Sequence, residues 1–431
     1  MKMLIIFLLC FTLMSNKCTL KTKGAMHYKA KRIEIDENIS PKKLQLQDII
    51  FLEENDDVII NRIAGIEIFD DATKLLIADD ANRIAVLYDY NNGKILSIID
   101  SKAQNYEWYN HFLDTKPVSN TSIRDDLRYI PLHECSKYGI TEEGVKLARL
   151  HYFIPKSINN RIVISNLMYI FSVSDNVREN VIENRSGFCW YDNGLNFEKM
   201  VVPEVLIGSH IIPGTYDILS NGDVVGTSSN FIYHREDVMD SLVTVARFDS
   251  TGKLLGNIGY LPEKYSENNL TYEELWKPLI TSINDSVFIA YPRVNEIYAP
   301  GQHVRFSLKN LPFSNDSGLV YLYNYYRMAK LHKIQPNSKE VGRLLPLSIN
   351  YTFNSYGNFG VIILVFDDSD PMGFYYIAQE YDIRGKLISH TKINDEPENQ
   401  IRNFVFDKYN GFLCLIKKSK KGWSIEKRNW L

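Results

Sequence analysis

Cysteine is scarce in this chain, with five in 431 residues at positions 10, 18, 135, 189 and 414. No two of them have the Cys-x-x-Cys spacing of a zinc or redox site, so the sequence implies no disulfide framework and no thiolate metal centre. Neither charge sign dominates: 49 Lys plus Arg stand against 52 Asp plus Glu, a formal net charge of -3. That balance lacks the electrostatic footprint of a nucleic-acid-binding protein, and nucleic acid is not an expected partner. The phosphate-loop, zincin and nucleophile-elbow signatures (GxxxxGK[ST], HExxH, GxSxG) are all missing, and no cofactor is called for. Aromatic residues are what the chain has in quantity: 27 Tyr, 21 Phe and 5 Trp, within a composition that is 45% hydrophobic. With only 15 Pro and 23 Gly, this is a globular chain with a large core and a bias toward sheet.

The longest apolar run is at the start, where Lys2 precedes residues 3–14, broken only by Thr12. It is shorter than the ~20 residues a spanning helix needs and has the proportions of a signal-peptide core. Residues 1–18 are therefore expected to be an export signal and residues 19–30 a linker. Cys18 directly after the run makes a lipoprotein-type signal one alternative, with lipid attachment at Cys18; simple cleavage is the other, since Lys17 stands where a small residue usually precedes such a cysteine. Both alternatives place the protein outside the cytoplasm, periplasmic or held in the cell envelope by lipid, with no membrane contact beyond that anchor. Cys414, in Phe412-Leu413-Cys414-Leu415-Ile416, reads as a core residue. Cys135 and Cys189 are free to pair or not in an oxidising compartment.

Beyond residue 30 the chain reads as short strands joined by turns. Ile66-Glu67-Ile68-Phe69, Leu75-Leu76-Ile77-Ala78, Ile84-Ala85-Val86-Leu87-Tyr88 and Ile95-Leu96-Ser97-Ile98-Ile99 are separated by Asp, Asn and Gly turns, which predicts a four-stranded antiparallel meander. That is the size of a propeller blade. Parts of the unit recur. An aromatic-Asp pair, then Gly-Lys, then apolar residues appears as Tyr88-Asp89 with Gly93-Lys94, Phe248-Asp249 with Gly252-Lys253 and Tyr381-Asp382 with Gly385-Lys386. Glycine suits the positive φ of such a turn, and the lysine opens an outer strand whose edge it protects. A second element, a polar turn before a short apolar strand, occurs at Ser220-Asn221-Gly222, Asn284-Asp285-Ser286 and Tyr409-Asn410-Gly411.

At roughly 40 to 65 residues per blade, the ~400 remaining residues fit six blades, or seven, with insertions. Thr271-Tyr272-Glu273-Glu274-Leu275 has a capping box that predicts a short helix, and residues 141–150 form a weaker helical candidate. The C-terminal stretch supplies only three strands, so the alternating Arg32-Ile33-Glu34-Ile35 is expected to complete the last blade and close a single domain over residues 31–431.

These residues carry a resemblance. The segment from Arg32 to Ile99, with Leu75-Leu76-Ile77-Ala78-Asp79, Val86-Leu87-Tyr88-Asp89 and Gly93-Lys94-Ile95-Leu96, resembles the NHL- and TolB-like six-bladed β-propeller proteins exported by Gram-negative anaerobes. Many of these are lipoproteins of unknown function. The Gly-Pro-Gly-Glu-type loop frequent after the first blade of that family is replaced here by residues 101–108.

Candidate sites are few. Asp368-Ser369-Asp370-Pro371-Met372-Gly373 begins like a calcium loop but lacks its later oxygen ligands, and Pro371 and Gly373 fit a type I turn instead. No metal site is expected there, nor at His133-Glu134-Cys135, whose successive side chains alternate on a strand. Lys417-Lys418-Ser419-Lys420-Lys421 reads as solvated lysines guarding the edge at the last turn. The aromatic clusters at residues 106–109, 321–326 and 374–376 are either core or platforms for sugar or peptide, and Trp108, in a loop-like stretch, is the ligand-binding candidate. The expected function is that of an exported, monomeric, non-catalytic binding or scaffold propeller presenting one face to an envelope protein, peptide or glycan. The alternative is a lactonase-, lyase- or hydrolase-like propeller enzyme with its site in the central channel.

Overall fold

The computed structural model describes residues 31–33, 43–100, 149–174, 177–201, 203, 209–230, 243–260, 262, 278–302, 304–315, 318–319, 321–322, 325, 341 and 344–430. They form six four-stranded antiparallel blades. Blade 1 consists of β3 (Ile63–Phe69), β4 (Lys74–Asp79), β5 (Ile84–Asp89) and β6 (Ile95–Asp100), the meander expected from the sequence. Blade 2 is β7 (Arg149–Ile158), β8 (Arg161–Ser174), β9 (Val177–Asp192) and β10 (Phe197–Val201). Blade 3 is β11 (Ser209–Ile218), β12 (Val224–Asn230), β13 (Val243–Phe248) and β14 (Leu254–Tyr260). Blade 4 is β15 (Leu279–Ile283), β16 (Ser286–Tyr291), β17 (Val294–Ala299) and β18 (Val304–Ser307). Blade 5 is β19 (Leu347–Ser355), β20 (Asn358–Phe366), β21 (Phe374–Tyr381) and β22 (Leu387–Ile393). Blade 6 takes β23 (Asn399–Asp407), β24 (Phe412–Ser419) and β25 (Gly422–Asn429) from the C-terminus and β2 (Gln45–Phe51) from the N-terminal side. The inner strands β3, β7, β11, β15, β19 and β23 contact one another in sequence, and β23 returns to β3. The ring is a closed six-bladed β-propeller.

Period-two alternation explains the apolar runs. On β4, Leu76 and Ala78 pack toward blade 2, while Leu75 and Ile77 pack toward blade 6; on β5, Leu87 and Tyr88 divide the same way. A middle strand buried on both faces has no polar side, so it reads as continuous hydrophobic sequence. Six buried clusters result, one at each interface between blades.

The aromatic-Asp repeat is the turn from third to fourth strand. Tyr88, Phe248 and Tyr381 are fully buried between blades, and the following aspartate folds its carboxylate back onto turn amides: Asp249 accepts from the N–H of Thr251 and Lys253, Asp382 from those of Arg384 and Lys386. A fourth copy escapes the sequence pattern. In Tyr191-Asp192 the carboxylate accepts from the Gly194 and Asn196 amides, but Leu195 (φ 64°) occupies the left-handed position held by glycine elsewhere. Gly385 (φ +86°) has a second reason for its identity: a Cβ there would stand 2.5 Å from the Phe306 ring of blade 4.

The structure corrects three local expectations. The fourth strand of the last blade is not Arg32 to Ile35. β1 (Lys31–Ile33) pairs in parallel with β18, adding a fifth strand to blade 4, and β2 pairs with β25. β2 lacks clean alternation because it is an outer strand with one buried residue, Ile50, while Leu46, Ile49 and Phe51 face outward. Of the weak helical candidate at 141–150, residues 141–148 lie outside the described residues, as does the capping box at 271–275, while Arg149 and Leu150 are strand, part of β7 paired with β8. Helical turns occur instead around Leu319 and Val341, between β18 and β19, with Leu319 N–H bonded to Asn315 O and Leu345 N–H to Val341 O. They cap the core between blades 3 and 4 with Leu319, Leu322, Val341 and Leu345. Finally, Lys417 is not solvated: its side chain is 1% exposed and pairs at 2.8 Å with Glu426, which also binds Arg428. β24 lies between two strands, so alternate residues point into neighbouring blades and only Lys420 and Lys421 at the turn are fully exposed.

Candidate functional site

Alternation of strand direction sorts the connections onto two faces. Turns from first to second strand and from third to fourth strand lie at one face, and all are short: 70–73, 159–160, 219–223, 284–285, 356–357 and 408–411 at the inner strands. The opposite face receives the other connections, including those that span residues 101–148, 231–242, 261–278 and 308–346. Long connections on a rigid ring are where recognition is usually carried.

At the short-turn face, the ends of the inner strands bring together polar residues from different blades. Glu67 on β3 accepts hydrogen bonds from the Ser157 N–H (3.1 Å) and hydroxyl (2.6 Å) on β7. Asp217 on β11 does the same for the Ser282 N–H (2.6 Å) and hydroxyl (2.7 Å) on β15. Asn354 on β19 donates to the Ser282 carbonyl, and Lys408, following β23, lies 3.8 Å from Glu67. Outside this belt Asp285 accepts from the Ser220 N–H and hydroxyl, which holds its carboxyl below the usual range.

Two titratable groups on the inner strands, Lys156 on β7 and Tyr351 on β19, are shifted by their surroundings. Burial lowers the Lys156 pKa, but Asp217, Glu67 and Tyr351 outweigh it and the net shift is upward, so the ammonium stays charged. Its Nζ lies 3.7 Å from Asp217 Oδ1, longer than a hydrogen bond. Tyr351, on β19, is pushed up to about 12 chiefly by burial, with the Lys156 charge pulling the other way.

None of the belt was singled out from the sequence, although a signal was there. Ser157-Ile158, Asp217-Ile218 and Ser282-Ile283 each end an inner strand, a polar residue then isoleucine just before the turn, and Glu67-Ile68 stands one residue short of the end of β3. Cys18, Trp108, His133, Glu134 and Cys135 lie outside the described residues. Cys189 and Cys414 are buried core residues whose thiols burial pushes up to about 12, and Cys414 Sγ is 3.1 Å from the Tyr90 hydroxyl. Residues 367–373 form a turn between β20 and β21 in which Gly373 N–H bonds Asp370 O, and Asp367 accepts from Ser369. Tyr375 and Tyr376 are buried on β21, whereas Tyr321 is 63% exposed.

No family model matches the chain, and no curated protein matches it in sequence. Among solved structures it is similar to a protein from Bacteroides fragilis described as exported, with 11% identity over 92% of this chain and 98% of that one and a TM-score of 0.48. It is also similar to a DUF4221 family member from Bacteroides vulgatus, with 8% identity over 90% and 98% of the two chains and a TM-score of 0.47. A PQQ-bound aldose sugar dehydrogenase from Streptomyces coelicolor gives 9% identity, 90% and 99% coverage and a TM-score of 0.42. These values describe general resemblance of architecture, and the fold class itself rests on the strand topology above.

Proposed function

We propose that the chain is an exported, non-catalytic binding or scaffold protein that presents the face bearing its long connections to a protein, peptide or glycan ligand in the cell envelope. The asymmetry between the two faces is the observation that carries this reading. Every inner-strand turn at one face is short, while the connections spanning 101–148, 231–242, 261–278 and 308–346 start and end at the other. The carboxylates of Glu67 and Asp217 at the channel are engaged by serine hydroxyls and backbone amides of neighbouring blades, a use that holds the ring together and competes with acid-base work. Export is supported by Lys2 and the apolar run at 3–14, and Cys18 is the residue that would carry a lipid.

The test is capture from envelope extract with tagged residues 24–431, compared with a variant in which 102–147 are replaced by a short Gly-Ser linker and with Trp108→Ala. The intact chain is expected to retain one partner near one-to-one, and the linker variant to lose it while keeping its circular dichroism spectrum. Retention unchanged by the linker, or no partner at all, overturns the assignment of that face.

A further inference from the structure

We infer that the short-turn face carries a saccharide-binding platform, formed by Tyr356 of blade 5 and Tyr409 of blade 6, that stacks against the rings of a neutral oligosaccharide. The site lies on the face opposite the proposed ligand surface and does not depend on that reading.

Tyr356 stands where its residue type is poorly suited. The inner-strand turns of blades 2, 4 and 5 share a two-residue form with both central residues at positive φ: Asn159-Asn160, Asn284-Asp285 and Tyr356-Gly357. Asparagine, aspartate and glycine tolerate that geometry, whereas a bulky aromatic at φ 50° is strained. Strain of this kind persists where the surroundings enforce it, and it marks candidate functional positions. Here the surroundings seat the ring. Tyr356 meets Phe406 in a T-shaped contact with centroids 6.1 Å apart, and its hydroxyl lies against Gly411, where any Cβ would collide with it. The residue is nonetheless 51% exposed, so burial does not account for an aromatic at this position.

Tyr409 belongs to the same turn as Gly411 and is 38% exposed. Lys408 braces it from the channel side, with its ammonium 5.4 Å from the ring centroid, 3.4 Å from the Ser157 hydroxyl and 3.8 Å from Glu67. Of the six inner-strand turns, only these two, in adjacent blades, carry aromatic residues.

The ligand class follows from the groups presented. A tyrosine ring has a negative face, which attracts the slightly positive C–H hydrogens on the flat side of a pyranose. The sugar hydroxyls then need polar partners beside the rings. Asn410 is exposed and gives its Nδ2–H to Asp407 at 2.9 Å, which leaves its Oδ1 to accept; Asp71, exposed on the blade 1 side, is near enough to act on the Tyr409 phenol. Charge disfavours acidic sugars. Glu67, Asp70, Asp71 and Asp407 outweigh Lys74 and Lys408 around this part of the face, so a neutral chain suits it.

The experiment is titration calorimetry on residues 24–431 with maltohexaose, cellohexaose, xylohexaose and chitohexaose, and with a polyproline peptide, which also docks on aromatic surfaces. Saturable binding of at least one saccharide by wild type is expected. Tyr409→Ala and Tyr356→Asn should each weaken it about tenfold, while Tyr409→Phe, which keeps the ring, should leave it nearly unchanged. Asparagine suits the left-handed position, so Tyr356→Asn should keep or raise Tm, which separates lost binding from lost folding. Tyr321→Ala is the control: it removes a 63% exposed tyrosine from the connection 308–346 of the other face and should not change the affinity. Wild type that binds no saccharide, or binds only the peptide, overturns the proposal. So does saccharide binding that is lost in Tyr321→Ala and kept in both Tyr409→Ala and Tyr356→Asn.

Discussion

The interface between blades 5 and 6 and those between blades 1 and 2 or 3 and 4 solve one geometric problem in different ways. Between blades 5 and 6 the joint is aromatic. Phe353 stacks on Phe406 at 4.9 Å, meets Trp430 edge-on at 5.6 Å and lies against Gly360, where a Cβ would come within 2.2 Å of its ring. Between blades 1 and 2, and again between 3 and 4, a carboxylate on one inner strand grips the amide and hydroxyl of a serine on the next. Burying aromatic area is non-directional and yields most of the free energy, whereas the carboxylate-serine clasp fixes how far one strand slides past its neighbour. Apolar adhesion is present at all six interfaces, and the clasps add alignment at two of them.

The largest effect should come from the aromatic joint. Phe353→Ala opens a cavity beside Phe406 and Trp430 and is expected to cost about 3–5 kcal/mol in chemical denaturation, with a change in near-ultraviolet circular dichroism. Gly385→Ala should cost about 2–3 kcal/mol, because the added methyl meets Phe306 at a backbone angle that disfavours any side chain. The clasps should yield less. Asp217→Ala leaves the Ser282 amide and Lys156 unpaired and is expected to cost about 2 kcal/mol, against about 1 kcal/mol for Ser282→Ala. Equal losses for these two would mean that the clasp acts as generic polarity and not as an oriented pair.

The smallest readout is the pH dependence of the buried pair in blade 6. Burial raises the Glu426 pKa, but hydrogen bonds and charge from Lys417 and Arg428 outweigh it, and the carboxyl titrates below its ordinary value of 4.5. Its contribution is therefore complete above that value and lost as pH falls through the depressed one. Wild-type Tm should decline on acidification more steeply than that of Glu426→Gln, which is less stable at neutral pH but has no charge to lose there. Parallel acid limbs would show that Glu426 is not responsible.

The fold was legible where a residue answers to its neighbours in sequence. Tyr88-Asp89, Phe248-Asp249 and Tyr381-Asp382 revealed the blade because turn chemistry is local: the aspartate finds the amide two residues on, and a glycine takes the positive φ. Even so, Leu195 hid a copy, since enforced left-handed geometry needs only a fold strong enough to impose it. The site was not legible, because its pairs join residues such as Glu67 with Ser157 and Asp217 with Ser282, related only by closure of the ring. Lys417 misled for the same reason. Five residues of like character on one hairpin look uniformly solvated until a partner nine positions later, Glu426, is seen across the ladder. The closing strand failed differently: outer strands bury little, so β2 carries almost none of the alternation by which strands are found.

That closing strand also sets a clock. β2 precedes the first complete blade and β25, its partner, follows the other five, so the two hydrogen-bonded edges of blade 6 are separated by the synthesis of nearly the whole ring. Until residues 422–429 emerge, the first five blades can assemble only as an open arc, with the faces of blades 1 and 5 lacking a neighbour. Emergence of β25 is thus the event that permits the ring to close. Any truncation reaching into the last blade removes not one sixth of the molecule but both of the interfaces that let the other five hold each other in place.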